Sequence, residues 1–525
     1  MSAIIFISRQ LSLTKKIFLG IIMMLQLHSA FADNENYDGQ DVSGQSFTEG
    51  SYVGSSWKNA TAINTKFTRS DCSNASFIEA NLTNANFQSS NLTNADFTNA
   101  IITGTYFASV KNFTKEQLYS TQSYKDRNLS RTALISIDLS GCDFSYCNLT
   151  NTILQSSNLS DVNFTNAIIS GTSFTGVKNF TKEQLYSTQN YKDKDLSNVV
   201  LMVNNLGGWD FSGQNLTGAM FASSNLSNAN FTNAIIEKTY FTNVENFTKE
   251  QLYSTQSYKD KNLSGITFYG NNLIGWNFNY QNLNQADFFN ANLQNAGFSG
   301  ASLVNTRFTR ADLRGANINN ITGNYITEHT IMTNGNINNF NMDSLGDNFS
   351  IRKYTPASEG GEMISAKISE AAAISGGAAL TLENGAELEV LNAADLTVEN
   401  GSSIIINTDA DSSTSFKVNS GGGLAFENGA ILEINVVSDL SAQDILQIEI
   451  MEFAENASIA GLDALVKGET ILLNVNGSEW LGEWDYALGN NQMLITVSVP
   501  EPAVCAAAIG ALALGLALRY RNYKN

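Results

Sequence analysis

From Val42 to about residue 320, a bulky side chain returns at every fifth position. Neither a helix of period 3.6 nor a strand of period 2 produces that spacing. Phe67, Phe77, Leu82, Phe87, Leu92, Phe97, Ile102 and Phe107 carry it clearly, and two residues before them stand Thr65, Ala75, Ala80, Ala85, Ser90, Ala95, Ala100 and Thr105. The physical solution is a square coil with one five-residue unit per side and four sides per turn. The bulky residue and the small one point inward, and the other three face water. Columns at twenty-residue intervals result: Phe47, Phe67, Phe87 and Phe107 on one side, Trp57, Phe77 and Phe97 on the opposite one. Later, Phe268, Phe288 and Phe308 form one column and Leu263, Leu283 and Leu303 the next. One coil cannot bury these residues alone, so stacking must do it, at about 4.8 Å per coil.

Ala80-Asn81-Leu82, Ala95-Asp96-Phe97 and Ala311-Asp312-Leu313 resemble the A(D/N)LXX unit of the pentapeptide-repeat family, over roughly residues 40 to 320. The resemblance implies an all-β fold, a right-handed quadrilateral β-helix. Some cytoplasmic members mimic duplex DNA and bind DNA gyrase. This chain departs from them in two respects: it carries export signals, and residues 33–356 hold only about −5 of charge.

The five-fold pattern is interrupted three times by nearly one sentence, starting at Asn112, Asn179 and Asn246, 67 residues apart. Each begins Phe-Thr-Lys-Glu-Gln, a capping-box pattern that starts a helix at Thr114, Thr181 and Thr248. Tyr119 and Tyr124 are read as in phase with Leu129, leaving a seven-residue helical excursion between Phe107 and Tyr119. Each module then holds three full coils, so the three short helical inserts project from one side, roughly 14 Å apart at the coil spacing.

Residues 33–320 are thus the solenoid and 321–360 a cap and linker. From 361 to 498 a different repeat appears: Leu380/Leu382, Leu388/Val390, Leu396/Val398 and Ile404/Ile406 recur every eight residues, resumed by Phe416/Val418, Leu424/Phe426 and Leu432/Ile434. With Glu-Asn-Gly corners this reads as a second β-rich domain, a small solenoid or stacked hairpins, closed by strands near 445–450, 471–475 and 493–497. It is similar to the cornered β repeats of bacterial autotransporter passenger domains. Between Ala357 and Ser498 stand 22 acidic and 3 basic residues, so the acidity of the chain lies there.

Both ends read as processing signals. Arg9, Lys15 and Lys16 precede an apolar run, with Ala30-Phe31-Ala32 behind it, which predicts a signal peptide over residues 1–32 cleaved after Ala32. At the other end, residues 499–525 place Val499-Pro500-Glu501-Pro502 before the uncharged run 503–518, with Arg519, Arg521 and Lys524 behind it. This order resembles the PEP-CTERM sorting tail. It implies a C-terminal membrane helix and a bacterial chain recognised by an exosortase, a membrane cysteine protease. Sixteen helical residues reach roughly 24 Å, marginal for a bilayer core, and a plain membrane anchor is the alternative.

Catalytic chemistry is hard to assemble from this sequence. After the signal peptide one histidine remains, His329, so neither a Ser-His-Asp nor a Cys-His constellation is available. Asp138, Asp143 and Asp210 fall where the repeat itself favours Asp or Asn. Cys72, Cys142 and Cys147 fall on inward positions and read as buried thiols, with Cys505 in the tail. Asp409 and Asp411 offer oxygen ligands for calcium without an EF-hand pattern, and no cofactor is expected. The chain therefore reads as an exported cell-surface or extracellular-matrix structural or adhesive protein and not an enzyme. Its expected partners are the exosortase, extracellular polysaccharide or surface proteins, and the membrane before processing, with no nucleic acid. The alternative of another class is a polysaccharide-acting enzyme built on the C-terminal β domain.

Overall fold

The computed structural model describes residues 33–498, with breaks that all lie beyond residue 340. Ala30, Ala32, the sorting motif Val499–Pro502, Arg519 and Arg521 lie outside the described residues, as do the expected membrane helix and Asp409 and Asp411. Among the described residues no helix is long and apolar enough to cross a membrane. The chain divides into two units, Met1–Phe268 and Tyr269–Asn525.

The first unit is a four-sided β coil. Each side contributes a parallel bridge to the next coil, as Lys66 does to Asn86 and Asn86 to Tyr106. The backbone supplies both bonds: Phe67 N–H donates to Asn86 O at 2.7 Å and Asn86 N–H to Thr65 O at 2.8 Å. Corners are four-residue turns, such as the one closed by Ala60 N–H on Trp57 O at 3.1 Å. The third residue of that turn, Asn59, has φ +56°. This left-handed requirement is why Asn and Gly crowd the sequence at these positions.

Phe67, Phe77, Leu82, Phe87, Leu92, Phe97, Phe107 and Phe268 are fully buried. The rings stack coil on coil, with Phe47–Phe67 centroids 5.4 Å apart, Phe67–Phe87 4.7 Å and Phe87–Phe107 5.5 Å. The same column runs on from Phe107 to Leu134 through strands Tyr106–Ala108 and Ala133–Ile135. The small inward positions are packed against backbone. Where they carry a hydroxyl, it donates to a carbonyl of the preceding coil, as Thr65 Oγ1 does to Val42 O (2.9 Å) and Thr105 Oγ1 to Leu82 O (2.7 Å). These hydroxyls are thereby satisfied, whereas the buried Trp57 Nε1 in the ring column has no hydrogen-bond partner.

Each insert is a pair of short helices, which corrects the seven-residue excursion expected from phase. They are Lys115–Ser120 with Gln122–Lys125, Lys182–Ser187 with Gln189–Lys192, and Lys249–Ser254 with Gln256–Lys259. Thr114, Thr181 and Thr248 form the capping boxes, and Thr121, Thr188 and Thr255 end one helix while capping the next. Tyr119 and Tyr124 do not enter the interior. Leu118, one residue earlier, is the buried side chain, because the helical turn advances the inward direction by 100° per residue in place of the five-residue rule.

The second unit opens with the same coil geometry. Phe288 and Phe308 are buried and stack at 5.3 Å. Thr306–Arg307 then pairs with Tyr325–Ile326, and Thr330–Ile331 forms an antiparallel pair with Ile337–Asn338. From Asn348 the chain winds into a three-sided parallel coil, so the stacked-hairpin alternative is set aside. One side stacks Asn348–Ile351, Ala379–Leu382, Ser403–Thr408 and Ile431–Val436. The second stacks Ala366–Ile368, Glu387–Val390, Ser415–Val418 and Ile445–Phe453. The third stacks Ala372–Ile374, Asp395–Val398, Gly423–Phe426 and Ser458–Ala460. Leu380 pairs with Ile404, 24 residues on, so three eight-residue repeats make one coil. Leu380, Leu382, Leu388, Val390, Leu396, Val398, Ile404 and Ile406 are all buried. The start of this coil lies inside the segment expected to be linker. Antiparallel strands Ile471–Val475, Ser478–Asp485 and Gln492–Ser498 come after its last coil.

Candidate interaction surface

With the inside filled by stacked side chains, the outside of the first unit carries whatever the solenoid recognises. Its commonest feature is the Asx ladder. Each Asp or Asn beside an inward residue turns its Oδ1 to the backbone N–H two residues on, as Asp138 does to Ser140 (3.1 Å). The Asn one coil later donates its amide to the same carboxylate: Asn158 to Asp138, Asn163 to Asp143 and Asn230 to Asp210, each at 2.9 Å. Asp138, Asp143 and Asp210 are thus ladder rungs. The backbone and side-chain hydrogen bonds from Ser140 hold the Asp138 carboxyl below its usual range. For Asp143, burial pushes upward, but the bonds from Ser145, the Arg127 charge and Asn163 outweigh it and the net direction is down.

The second feature is the insert, whose parts mostly serve the fold. Gln117 closes the capping box and also donates its Nε2 to Leu92 O and Ala95 O, both at 2.8 Å. Gln184 and Gln251 repeat this against Leu159 and Val162, and Leu226 and Ala229. Tyr119 and Tyr124 stack at 4.3 Å, half-buried, and their hydroxyls clasp Asp143: one accepts from its N–H at 2.8 Å, the other donates to its C=O at 2.7 Å. Tyr186 and Tyr191 do the same to Asp210. Burial drives the Tyr258 phenol up to about 12 and raises those of Tyr124, Tyr186 and Tyr191 as well. Lys125, Lys192 and Lys259 reach back to Asn99, Asn166 and Asn233.

What the fold leaves unused is apolar. Ile101, Ile168 and Ile235 occupy the outward Asx position and are 40 %, 43 % and 40 % exposed. Sequence reasoning passed over them, although an apolar residue at a water-facing position, repeated at 67 residues, was the signal.

The three described cysteines are not poised for reaction. Cys72, Cys142 and Cys147 are buried and free, and burial raises all three thiol pKa values, that of Cys142 to about 11. In the second unit a cavity of about 490 Å³ is lined by Ile337, Phe340, Ala371, Ala372 and Ala373, with Glu370 and Ser369 at its polar edge. Glu370 is the one carboxylate among those described lining residues. His329 sits at a turn with φ +51°, its ring 6.4 Å from that of Phe340. Among the described residues no His, Cys, Asp or Glu cluster could hold a metal ion.

Five-residue sides, left-handed corners and ring columns at a twenty-residue interval are the geometry of one known repeat. The family described as "Pentapeptide repeats" matches in eight copies, over residues 65–104, 128–166, 142–178, 204–244 and 282–320. These segments are pentapeptide repeats. None of the curated proteins compared matches the chain. Among solved structures, the chain is similar to HetL, a pentapeptide repeat protein involved in heterocyst differentiation regulation from the cyanobacterium Nostoc sp. strain PCC 7120. Identity is 17 %, coverage 61 % of this chain and 98 % of that one, and the TM-score 0.16. A pentapeptide repeat protein of the Arabidopsis thaliana thylakoid lumen is 18 % identical over 29 % of this chain and 75 % of its own, with TM-score 0.10. QnrB1, a plasmid-mediated fluoroquinolone resistance protein, is 13 % identical over 56 % and 92 %, with TM-score 0.11. Pentapeptide-repeat proteins are typically structural or binding proteins.

Proposed function

We propose that the chain is an exported bacterial surface or matrix protein in which the pentapeptide-repeat solenoid is a stiff spacer or binding module. In this reading a signal peptidase cuts after Ala32, and an exosortase processes the tail at Val499-Pro500-Glu501-Pro502. The observation that carries it is the order of segments in the sequence: basic, apolar and Ala-Phe-Ala at one end, Pro-Glu-Pro, apolar and basic at the other. The fold supports the spacer role, because stacked rings and hydroxyl-to-carbonyl bonds fill the interior and leave polar ladders outside. Weak contacts repeated along such ladders add up when the ligand is itself a polymer, as an extracellular polysaccharide is.

Mass spectrometry of the protein recovered from cells and medium tests the reading. It predicts a mature N-terminus at Asp33 and loss of the residues behind the Pro-Glu-Pro motif. A protein recovered from the cytoplasm with both ends intact would sink it.

A further inference from the structure

The first coil of the solenoid departs from those above it. In the second coil the N–H beside each inward residue donates to a carbonyl 21 positions back: Ser56 to Glu35 (2.8 Å), Thr61 to Gln40 and Lys66 to Gln45 (both 2.9 Å). The corresponding N–H groups of Asn36, Asp41, Ser46 and Ser51 meet no acceptor among the described residues. By the same count their acceptors would be residues 15, 20, 25 and 30, all inside the predicted signal peptide. The inward positions held in the second coil by buried Ser55, Ala60 and Thr65 are held here by Glu35, Gln40 and Gln45, and these three are exposed. Charge follows the same boundary. Residues 33–50 carry five anions (Asp33, Glu35, Asp38, Asp41 and Glu49) and no cation, whereas residues 51–268 carry sixteen of each. The net charge of the unit therefore sits on its first coil.

We propose that the first coil is a guard on an open edge, which keeps the mature chain from stacking head to head on a second copy. This rests on the reading that the mature chain begins at Asp33. A row of unpaired backbone groups is a template for pairing, and a four-sided edge fits another of its own kind. In the second unit the last edge of the four-sided coil is already taken. There Leu303 N–H donates to Thr322 O at 2.7 Å, and Phe308 and Leu313 donate to Ile326 O and Ile331 O at 2.8 Å. The open end is thus left with the same end of another copy, a two-fold contact that sets like against like. Carboxylates would then face carboxylates, and the coil fixes them in place. Asp33 Oδ1 accepts from Val53 N–H (3.1 Å), Asp38 Oδ1 from Lys58 N–H (2.9 Å) and Asp41 Oδ1 from Ser43 N–H (3.0 Å). Of the five anions Glu49 has a cation beside it, Arg69. Like charges crowded into one contact oppose it. Glu35, Gln40 and Gln45 add bulk where a coil laid over them needs a small residue.

The test is sedimentation in detergent of the chain cut after residue 32 at an engineered protease site, so that its outcome does not depend on export. Wild type is compared with a variant carrying Glu35→Ala, Gln40→Ala, Gln45→Ala, Asp38→Asn and Asp41→Asn. Alanine holds the inward position at Ala60, and asparagine keeps each Oδ1 acceptor, so the variant keeps the fold, which circular dichroism checks. The variant is expected to dimerise at least roughly tenfold more tightly than the wild type. Raising salt from about 0.05 to about 0.5 M should tighten the wild type and leave the variant little changed, because screening acts on the charges that were removed. A variant no tighter than the wild type overturns the proposal. So does a variant dimer that forms equally well before the cut, since it would then lie elsewhere on the molecule.

Discussion

Phe67 and Phe87, twenty residues apart in sequence, lie face to face with ring centroids 4.7 Å apart and planes 6° from parallel. Each ring also meets Phe77 edge-on, at 5.5 and 5.3 Å, so two columns interlock through stacked and T-shaped contacts. Phe87→Ala is therefore expected to cost about 3–5 kcal/mol, and Phe87→Leu under about 1.5 kcal/mol, since leucine already fills neighbouring columns. Chemical denaturation of the two variants beside the wild type measures the difference.

Gln117 does three jobs: it accepts from Thr114 N–H and donates to two carbonyls of the coil below. Thr114→Ala removes one cap and should cost about 1 kcal/mol. Gln117→Glu keeps the acceptor but has no N–H for Leu92 O and Ala95 O, so it should cost more than the threonine substitution. Hydrogen exchange of the first insert against the two unaltered ones reads both.

Val203 holds φ +59° while more than half exposed, a conformation that costs a side chain branched at Cβ about 1–2 kcal/mol. Val203→Gly, and Val203→Asn to a lesser degree, should raise the melting temperature. Replacing Asn198, which holds φ +59° at the preceding corner, by valine should lower it.

Asp138 and Asp143 titrate below the ordinary aspartate value near ~3.9 when folded. A depressed carboxyl pKa stabilises the fold above the unfolded value, and that stability is lost as pH falls through the folded one. The denaturation midpoint of the wild type should drop steeply below pH ~4. The Asp138→Asn/Asp143→Asn double variant should drop less, since asparagine keeps the Oδ1 acceptor and has no charge to lose.

In the second unit Arg314 and Asp312 form a fully buried ion pair at 2.6 Å. The guanidinium also donates to Ile364 O (3.0 Å) and Arg352 O (2.5 Å), while Gln294 binds Asp312 and Lys353 O. These bonds strap Arg352, Lys353 and Ile364 onto the coil. Arg314→Met alone should cost about 3–5 kcal/mol and open the strap to protease, whereas Arg314→Met with Asp312→Leu should be milder, because no buried charge is left unpaired. Limited proteolysis with mass readout distinguishes them.

The four-sided coil was legible from residues 42 to 320 because inward positions recur at a fixed interval, and only stacking buries them. The capping boxes at Thr114, Thr181 and Thr248 were legible for a similar reason: both partners of each box sit within four residues. The eight-residue alternation of Leu380/Leu382 and Leu388/Val390 located strands but left their pairing open, since period two is the same in a hairpin and in a parallel coil.

Tertiary structure alone decided where a residue at an outward position ends up. Arg314 reads as a water-facing side chain, yet it is buried because a strap from forty residues later lies over it. Tyr119 reads as core, yet Leu118 takes the inside because a helix turns the chain there. A repeat fixes which side chains point inward, through local geometry that each five residues carry. What covers the outward ones depends on contacts between distant segments, and no local pattern encodes those.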